Sequence, residues 1–475
     1  METRIEKDSL GEFEVPAKAY YGVQTCRAVA NFPISGLKPW PEFVDAVVHI
    51  KKAAARVHGE LGILDREQAE TIIAASDEIL AGGHRDQFVV DVFQAGAGTS
   101  HHMNVNEVIA NRANEMLGVG RGAYSRVNPN DHVNYGQSTN DVIPTAIRLG
   151  GLTLALGLVE RLDGLADAFA TKGEEFKDVV KSGRTHLQDA VPVTLGQNFH
   201  AYAQIVRDHR RLVAQAADEL RALGIGGSAA GTGLNTHPQY RRLMAQYLSE
   251  QLGTPVHPAA NMMAAMQSMA PFVALSGALR NLALDLHKIS HDLRILASGP
   301  MTGLGEIELP AVQPGSSIMP GKVNPVLAEM LSQLCFQVIG NDTVIAYASQ
   351  AGNLELNVMM PIIAFDLFFS LRILASASQA FAAKCVVGIT ANPERARHYA
   401  EMSLSNVTVL NPYIGYLKAA EIAKRALKEH RSIRELVLEE GLMSPEDLDK
   451  ALDLRKMAEE PTETLPVDDK AGAAG

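Results

Sequence analysis

Aromatic side chains are scarce in this sequence: they make up 5 % of 475 residues, and Trp40 is the single tryptophan. Aliphatic side chains and alanine must fill most of the core, which favours packed helices over a β-sandwich. Cysteine is equally sparse. Cys26, Cys335 and Cys385 lie far apart and no Cys-x-x-Cys pair occurs, so they read as small buried thiols in a reducing compartment. Positive charge is in deficit: 43 Lys and Arg against 54 Asp and Glu give a formal charge of −11. That argues against a nucleic-acid partner, because phosphate binding needs clustered cations that release counterions. A small anionic substrate needs only a locally positive pocket.

Other signals are missing too. Residues 1–10 hold five charged side chains and no apolar core, unlike a signal peptide. No stretch reads as long and apolar enough to span a bilayer; the best candidate, 264–286, is interrupted by Pro271, Ser276 and Arg280. The expectation is a cytoplasmic protein without a membrane partner. No Gly-x-x-x-x-Gly-Lys-Ser/Thr loop occurs, no dinucleotide fingerprint follows a strand, and no His/Cys/Asp spacing suits a metal. The chemistry is expected to run with no cofactor and no metal.

Hydrophobic residues (47 %) and charged residues (20 %) are in ordinary globular balance, and the length suggests about three domains. Residues 1–137 read as a mixed helical domain. It opens with Gly- and Pro-rich segments, followed by helical patterns over 44–61, 65–81 (stopped by Gly82-Gly83) and 103–117. Residues 138–392 read as a central bundle of long helices over 141–180, 194–223, 258–296, 325–351 and 358–382. Apolar positions there recur at three and four, as in Leu152, Leu156, Val159, Leu162, Leu165 and Phe169. Helices of that length need to lie side by side, and such bundles often pair with further subunits. Residues 393–475 read as a small C-terminal helical domain whose acidic, then Gly/Ala-rich tail from 459 onward is expected to be disordered. The fold class is mainly α.

Four polar islands are not explained by helix packing. Residues 96–104 (Gly-Ala-Gly-Thr-Ser-His-His-Met-Asn) place hydroxyls and backbone N–H groups at a helix start, where an anion could bind or a cap could form. In 136–141, Gln137, Ser138, Thr139 and Asn140 offer four hydrogen-bonding side chains where one cap would suffice. In 183–190, His186 stands beside Thr185 in a turn closed by Pro192. In 315–325, two glycines and two prolines frame Ser316, Ser317, Lys322 and Asn324, a donor-rich segment suited to closing over an anion.

The segment Gly315-Ser316-Ser317-Ile318-Met319-Pro320-Gly321-Lys322-Val323-Asn324 resembles the signature loop Gly-Ser-Ser-x-x-Pro-x-Lys-x-Asn of the aspartase/fumarase superfamily, and the likeness runs from about Arg4 to Leu452. The resemblance implies a three-domain fold whose long-helix centre builds a homotetramer with a twenty-helix core, each active site drawing on three subunits. Ala19-Tyr20-Tyr21-Gly22-Val23-Gln24-Thr25, Gly96-Ala97-Gly98-Thr99-Ser100 and Asn411-Pro412-Tyr413-Ile414-Gly415-Tyr416 resemble the ammonia-eliminating branch more than the hydratase branch. His101-His102 and His291 depart from that pattern, where Asn is more usual.

The implied reaction is reversible anti elimination of ammonia from a small dicarboxylate, L-aspartate, to give fumarate. The alternatives are fumarate hydration or elimination from another succinyl-type substrate. By resemblance Ser316 is the base that removes the proton next to the β-carboxylate, leaving an aci-carboxylate intermediate. Thr99, Ser138, Thr139 and Ser317 hold the β-carboxylate, Lys322, Asn324 and Thr185 hold the α-carboxylate, and Asn140, Thr185 and His186 receive the amino group; His186 counts with Ser316 as catalytic, acting through a bound water where the leaving group is hydroxide.

Overall fold

The computed structural model describes residues 2–459. Apart from Glu459, the tail expected to be disordered lies outside the described residues. The chain packs as two compact units, each assembled from three stretches. The first is Met1–Asp163, Val206–Lys288 and Met330–Gln379; the second is Gly164–Ile205, Ile289–Glu329 and Ala380–Gly475.

Helices dominate, as the patterning indicates. Pro41–Glu60 begins with proline at its first position, where the missing N–H costs nothing. Arg66–Leu80 is opened by a reciprocal capping box between Asp65 and Gln68, and Gly82 with φ +99° follows its end. The longest helices are Thr139–Glu175 (37 residues), Ala270–Leu296 (27), Val326–Gln350 (25) and Met360–Lys384 (25). The single helix expected over 258–296 is instead Met262–Gln267 and Ala270–Leu296. Pro271 has no N–H to continue an earlier helix but fits the first turn of a new one.

Two helical segments, Thr139–Glu175 and Met360–Gly388, are long and apolar enough to cross a membrane by length and composition. This corrects the expectation that no such stretch exists. Most of the first is buried inside the protein, which is reason enough for its apolar character.

Among the described residues strands occur only in two-stranded ladders. Thr3–Asp8 pairs antiparallel with Gly11–Pro16 in unit 1, and Val180–Thr185 pairs antiparallel with Gln188–Thr194 in unit 2. In unit 2 a separate cluster around Leu410, Ile422, Leu436 and Leu448 forms the core of the C-terminal helices. All three cysteines are free, and burial pushes each thiol up to about 12.

Candidate active site

The first two islands meet in unit 1. Thr99 opens helix Thr99–Met116 directly after Ala97 (φ 61°) and Gly98 (φ 90°), a left-handed turn that leaves Thr99 exposed at the helix start. Ser138 precedes helix Thr139–Glu175. Its N–H donates to Asp141 Oδ1 at 2.9 Å, and its Oγ accepts from the Asn140 N–H at 3.2 Å. Asp141 Oδ2 accepts from the Gly226 and Ser228 N–H groups at 2.8 and 3.1 Å, fixing the glycine-rich turn over the helix start. Burial raises the Asp141 carboxyl to about 6 against these donors, so it is anionic at neutral pH. Thr139 Oγ1 lies 2.8 Å from His102 Nδ1, and this bond ties the helix that begins at Thr99 to the one that begins at Thr139. Asn140 Nδ2 donates to the Ala229 carbonyl at 2.8 Å. Of the four surplus side chains, Ser138 caps and Gln137 turns inward, while Thr139 and Asn140 remain half-exposed.

Beneath Thr139 lies a polar group that sequence reasoning missed. Lys51 is fully buried, with Nζ 2.6 Å from His102 Nε2, 2.8 Å from Asn134 Oδ1 and 2.9 Å from Gln137 Oε1. The signal was present: Lys51 falls on the apolar stripe of Val44, Val47, Val48 and Ala55, all buried on the same helix. A lysine on such a stripe needs buried acceptors. His101, next to His102 in the chain, points into the core instead, stacked on Phe43 at 4.6 Å with both ring nitrogens unpartnered. Burial lowers His101 to about 3, so it stays neutral.

The other two islands lie in unit 2. Thr185 ends strand Val180–Thr185, and His186 and Leu187 (φ 57° and 60°) form the two-residue hairpin tip. Left-handed backbone at two successive non-glycine residues costs energy, and such strain gathers at functional sites. The strand is held from behind by Arg184, whose guanidinium makes two 3.0 Å bonds to the fully buried Glu306 carboxylate; Lys181 Nζ is 3.6 Å from the same group. Thr185 and His186 are exposed.

The 315–324 segment folds as a loop closed at its neck. Gly315 N–H donates to the Lys322 carbonyl at 2.9 Å, and Asn324 Nδ2 donates to the Gly315 carbonyl at 2.6 Å. An added Cβ at 315 would collide with the Lys322 carbonyl oxygen, so only glycine fits. Within the loop Ser316 Oγ accepts from the Ile318 and Met319 N–H groups at 3.2 and 2.9 Å. Ser317 and Lys322 are exposed and free to meet a ligand. The hairpin tip and the loop share no hydrogen bond among the described residues. A cleft of about 1120 Å³ elsewhere in unit 2 is lined by Arg397, Arg431, Arg434 and Arg455. Each pairs with a carboxylate, respectively Glu401, Glu439, Asp449 and Asp178, so none of these four cations is left over for an anionic ligand.

Chemically, the hydroxyls at the two helix starts of unit 1 suit binding a carboxylate, and in unit 2 a loop that carries an exposed cation and an amide-cradled serine suits deprotonating a carbon acid. Residues 11–340 match the lyase family model and 407–459 match the fumarase C C-terminus model. An aspartate ammonia-lyase from Pseudomonas canavaninivorans is 50 % identical over 94 % of this chain and 95 % of its own. One from Bacillus sp. is 46 % identical over 96 % and 97 %. The crystal structure of a class II fumarase from Schistosoma mansoni superposes with a TM-score of 0.94 at 36 % identity, covering 96 % of this chain and 99 % of that one.

Proposed function

This chain belongs to the aspartase/fumarase superfamily, and on that premise we propose that it eliminates ammonia from L-aspartate, reversibly, to give fumarate. The higher identity to ammonia-lyases (46–50 %) than to the fumarase (36 %) supports ammonia rather than water as the leaving group. The observation that carries the chemistry is the environment of Ser316, whose oxygen already accepts two backbone N–H groups on the loop that bears Lys322.

A serine hydroxyl is a poor base because its alkoxide is costly in water. Two N–H donors, with the Lys322 ammonium carried on the same loop, lower that cost once water is expelled. Ser316 removes the proton from the carbon beside the β-carboxylate. The electron pair left behind moves into that carboxylate, which becomes an aci-carboxylate with a second negative charge. Thr99, Ser138, Thr139 and Ser317 supply donors where this charge develops, so their bonds strengthen in the transition state. Removing one such donor costs about 3 kcal/mol of barrier stabilisation. Lys322, Asn324 and Thr185 grip the α-carboxylate, and Asn140, Thr185 and His186 receive the amino group. The electron pair then returns to form the double bond as the C–N bond breaks, and ammonia departs from an ammonium without a strong general acid.

The working form is a homotetramer whose sites draw on three chains. Exposed apolar side chains on the long helices, among them Leu284, Phe336 (57 % exposed) and Tyr347 (67 % exposed), support burial by further copies. Three free thiols suit a reducing cytoplasm.

The alternative is fumarate hydration on the same scaffold. Purified protein is mixed with fumarate, with and without ammonium, and the ultraviolet absorbance of fumarate is followed. Loss only with ammonium, with aspartate formed, is the expected result; loss without it, with malate formed, makes the protein a hydratase.

A further inference from the structure

Thr139 can serve a carboxylate only as a hydrogen-bond donor, yet a threonine hydroxyl donates or accepts with equal ease. Something must set its direction. Lys51, His102 and Thr139 form an unbroken chain that runs from the core to the half-exposed helix start: Nζ to Nε2 at 2.6 Å, then Nδ1 to Oγ1 at 2.8 Å. We propose that Lys51 and His102 are positioning residues that fix the polarity of this chain, so that the Thr139 hydroxyl presents its proton to the substrate carboxylate. The inference rests on the reading that Thr139 holds that carboxylate.

Lys51 sets the direction at the buried end. Asn134 Nδ2 donates to the Gln137 carbonyl, and Gln137 Nε2 donates to the Val133 carbonyl, so both side-chain amides turn their oxygens to Lys51. Two protons of Nζ are thereby committed, and the third direction faces His102 Nε2. An ammonium fills all three with donors. It has no lone pair, so Nε2 must accept, and the neutral ring must carry its proton on Nδ1. Nδ1–H then donates into Thr139 Oγ1, and the threonine's own proton is left for an outside acceptor.

With a neutral amine the whole chain reverses: Nε2–H donates to Nζ, Nδ1 accepts from Thr139, and the hydroxyl is spent inward. Burial pushes Lys51 towards that neutral form, and the anionic Asp141 pushes it back. Arrival of the substrate's carboxylate at Thr139 adds a negative charge to the Asp141 side and selects the donor polarity. His102, itself fully buried and held neutral by burial and by Lys51, supplies the two ring nitrogens that relay the direction.

Two substitutions separate the halves of the ring. His102→Asn keeps a donor near the Nδ1 position and abandons Lys51. His102→Gln keeps an acceptor near the Nε2 position and abandons Thr139. A residue that merely filled space and satisfied Lys51 would tolerate Gln better than Asn. The polarity account expects the reverse: kcat/KM for aspartate within about threefold of the parent in His102→Asn, and a loss of about tenfold or more in His102→Gln.

The cycle with Thr139→Val completes the test. Thr139→Val alone loses about a hundredfold, and adding His102→Gln to it costs nothing further, because His102 acts only through that hydroxyl. Equal or better activity in His102→Gln than in His102→Asn overturns the relay, as do losses that multiply in the double variant. Full activity in Thr139→Val instead overturns the carboxylate role of Thr139, and the relay with it. If His102→Asn does not fold, the cycle between His102→Gln and Thr139→Val decides alone.

Discussion

At the scale of single residues, the proposed chemistry is concentrated in Ser316 and the neck of its loop. Ser316→Ala keeps the loop but removes the atom that accepts two amides. Turnover in both directions is expected to vanish, measured by fumarate absorbance, while the melting temperature holds. Gly315→Ala forces the Lys322 carbonyl aside; kcat is expected to fall at least about tenfold, because a small misplacement of catalytic groups is costly, with little change in melting. His101 makes a different prediction. Its ordinary pKa of 6.5 is lowered to about 3 by burial, so between those values the unfolded chain binds a proton that the folded chain refuses. Stability from this group is therefore complete above pH 6.5 and lost as pH falls, by about 2 kcal/mol per chain at pH 5. His101→Leu is expected to narrow the gap between melting temperatures at pH 7 and pH 5, and an unchanged gap would show that His101 does not titrate this way. Much of this was legible in the sequence, because Ser-Ser, Lys322 and Asn324 between glycines and prolines have no packing purpose. What was not legible is direction. Gly315 reads as freedom but serves close approach, and adjacent His101 and His102 part company, one into the core and one towards Thr139.

At the scale of elements, helical periodicity located Pro41–Glu60, Val326–Gln350 and Met360–Lys384 to within a few residues. The hairpin Val180–Thr185/Gln188–Thr194 escaped it. Val-Lys-Ser-Gly-Arg-Thr lacks clean alternation, and the tip His186-Leu187 lacks the Asn-Gly signal that left-handed turns favour. Tertiary contacts supply what local preference does not, and the Arg184–Glu306 pair is the main polar one. Glu306→Gln leaves a partly buried guanidinium without its counter-charge. Stability is expected to fall by about 3 kcal/mol, read by denaturant midpoint, and KM for aspartate to rise because Thr185 and His186 follow directly. An unchanged KM in the folded variant would separate the ion pair from the hairpin tip. Helix Tyr240–Leu252 also went unread, although Tyr240, Leu243, Met244, Tyr247 and Leu248 are buried with helical spacing; its Gly- and Pro-rich approach hid the start.

At the scale of the whole molecule, composition excluded much and decided little. Few aromatics and long apolar stripes announce packed helices, and the exposed Phe336 and Tyr347 announce faces still to be covered. How many copies cover them is a property of the assembly. The central claim is that the serine loop of one chain works on a carboxylate held by donors from another. Ser316→Ala and Thr139→Val, each impaired alone, are unfolded together and refolded as a mixture, and aspartate turnover is followed. If the two residues of a site come from different chains, random mixing leaves about a quarter of sites with both groups intact, and activity returns towards that level. Mixed tetramers that form but remain no more active than the two parents would contradict the account.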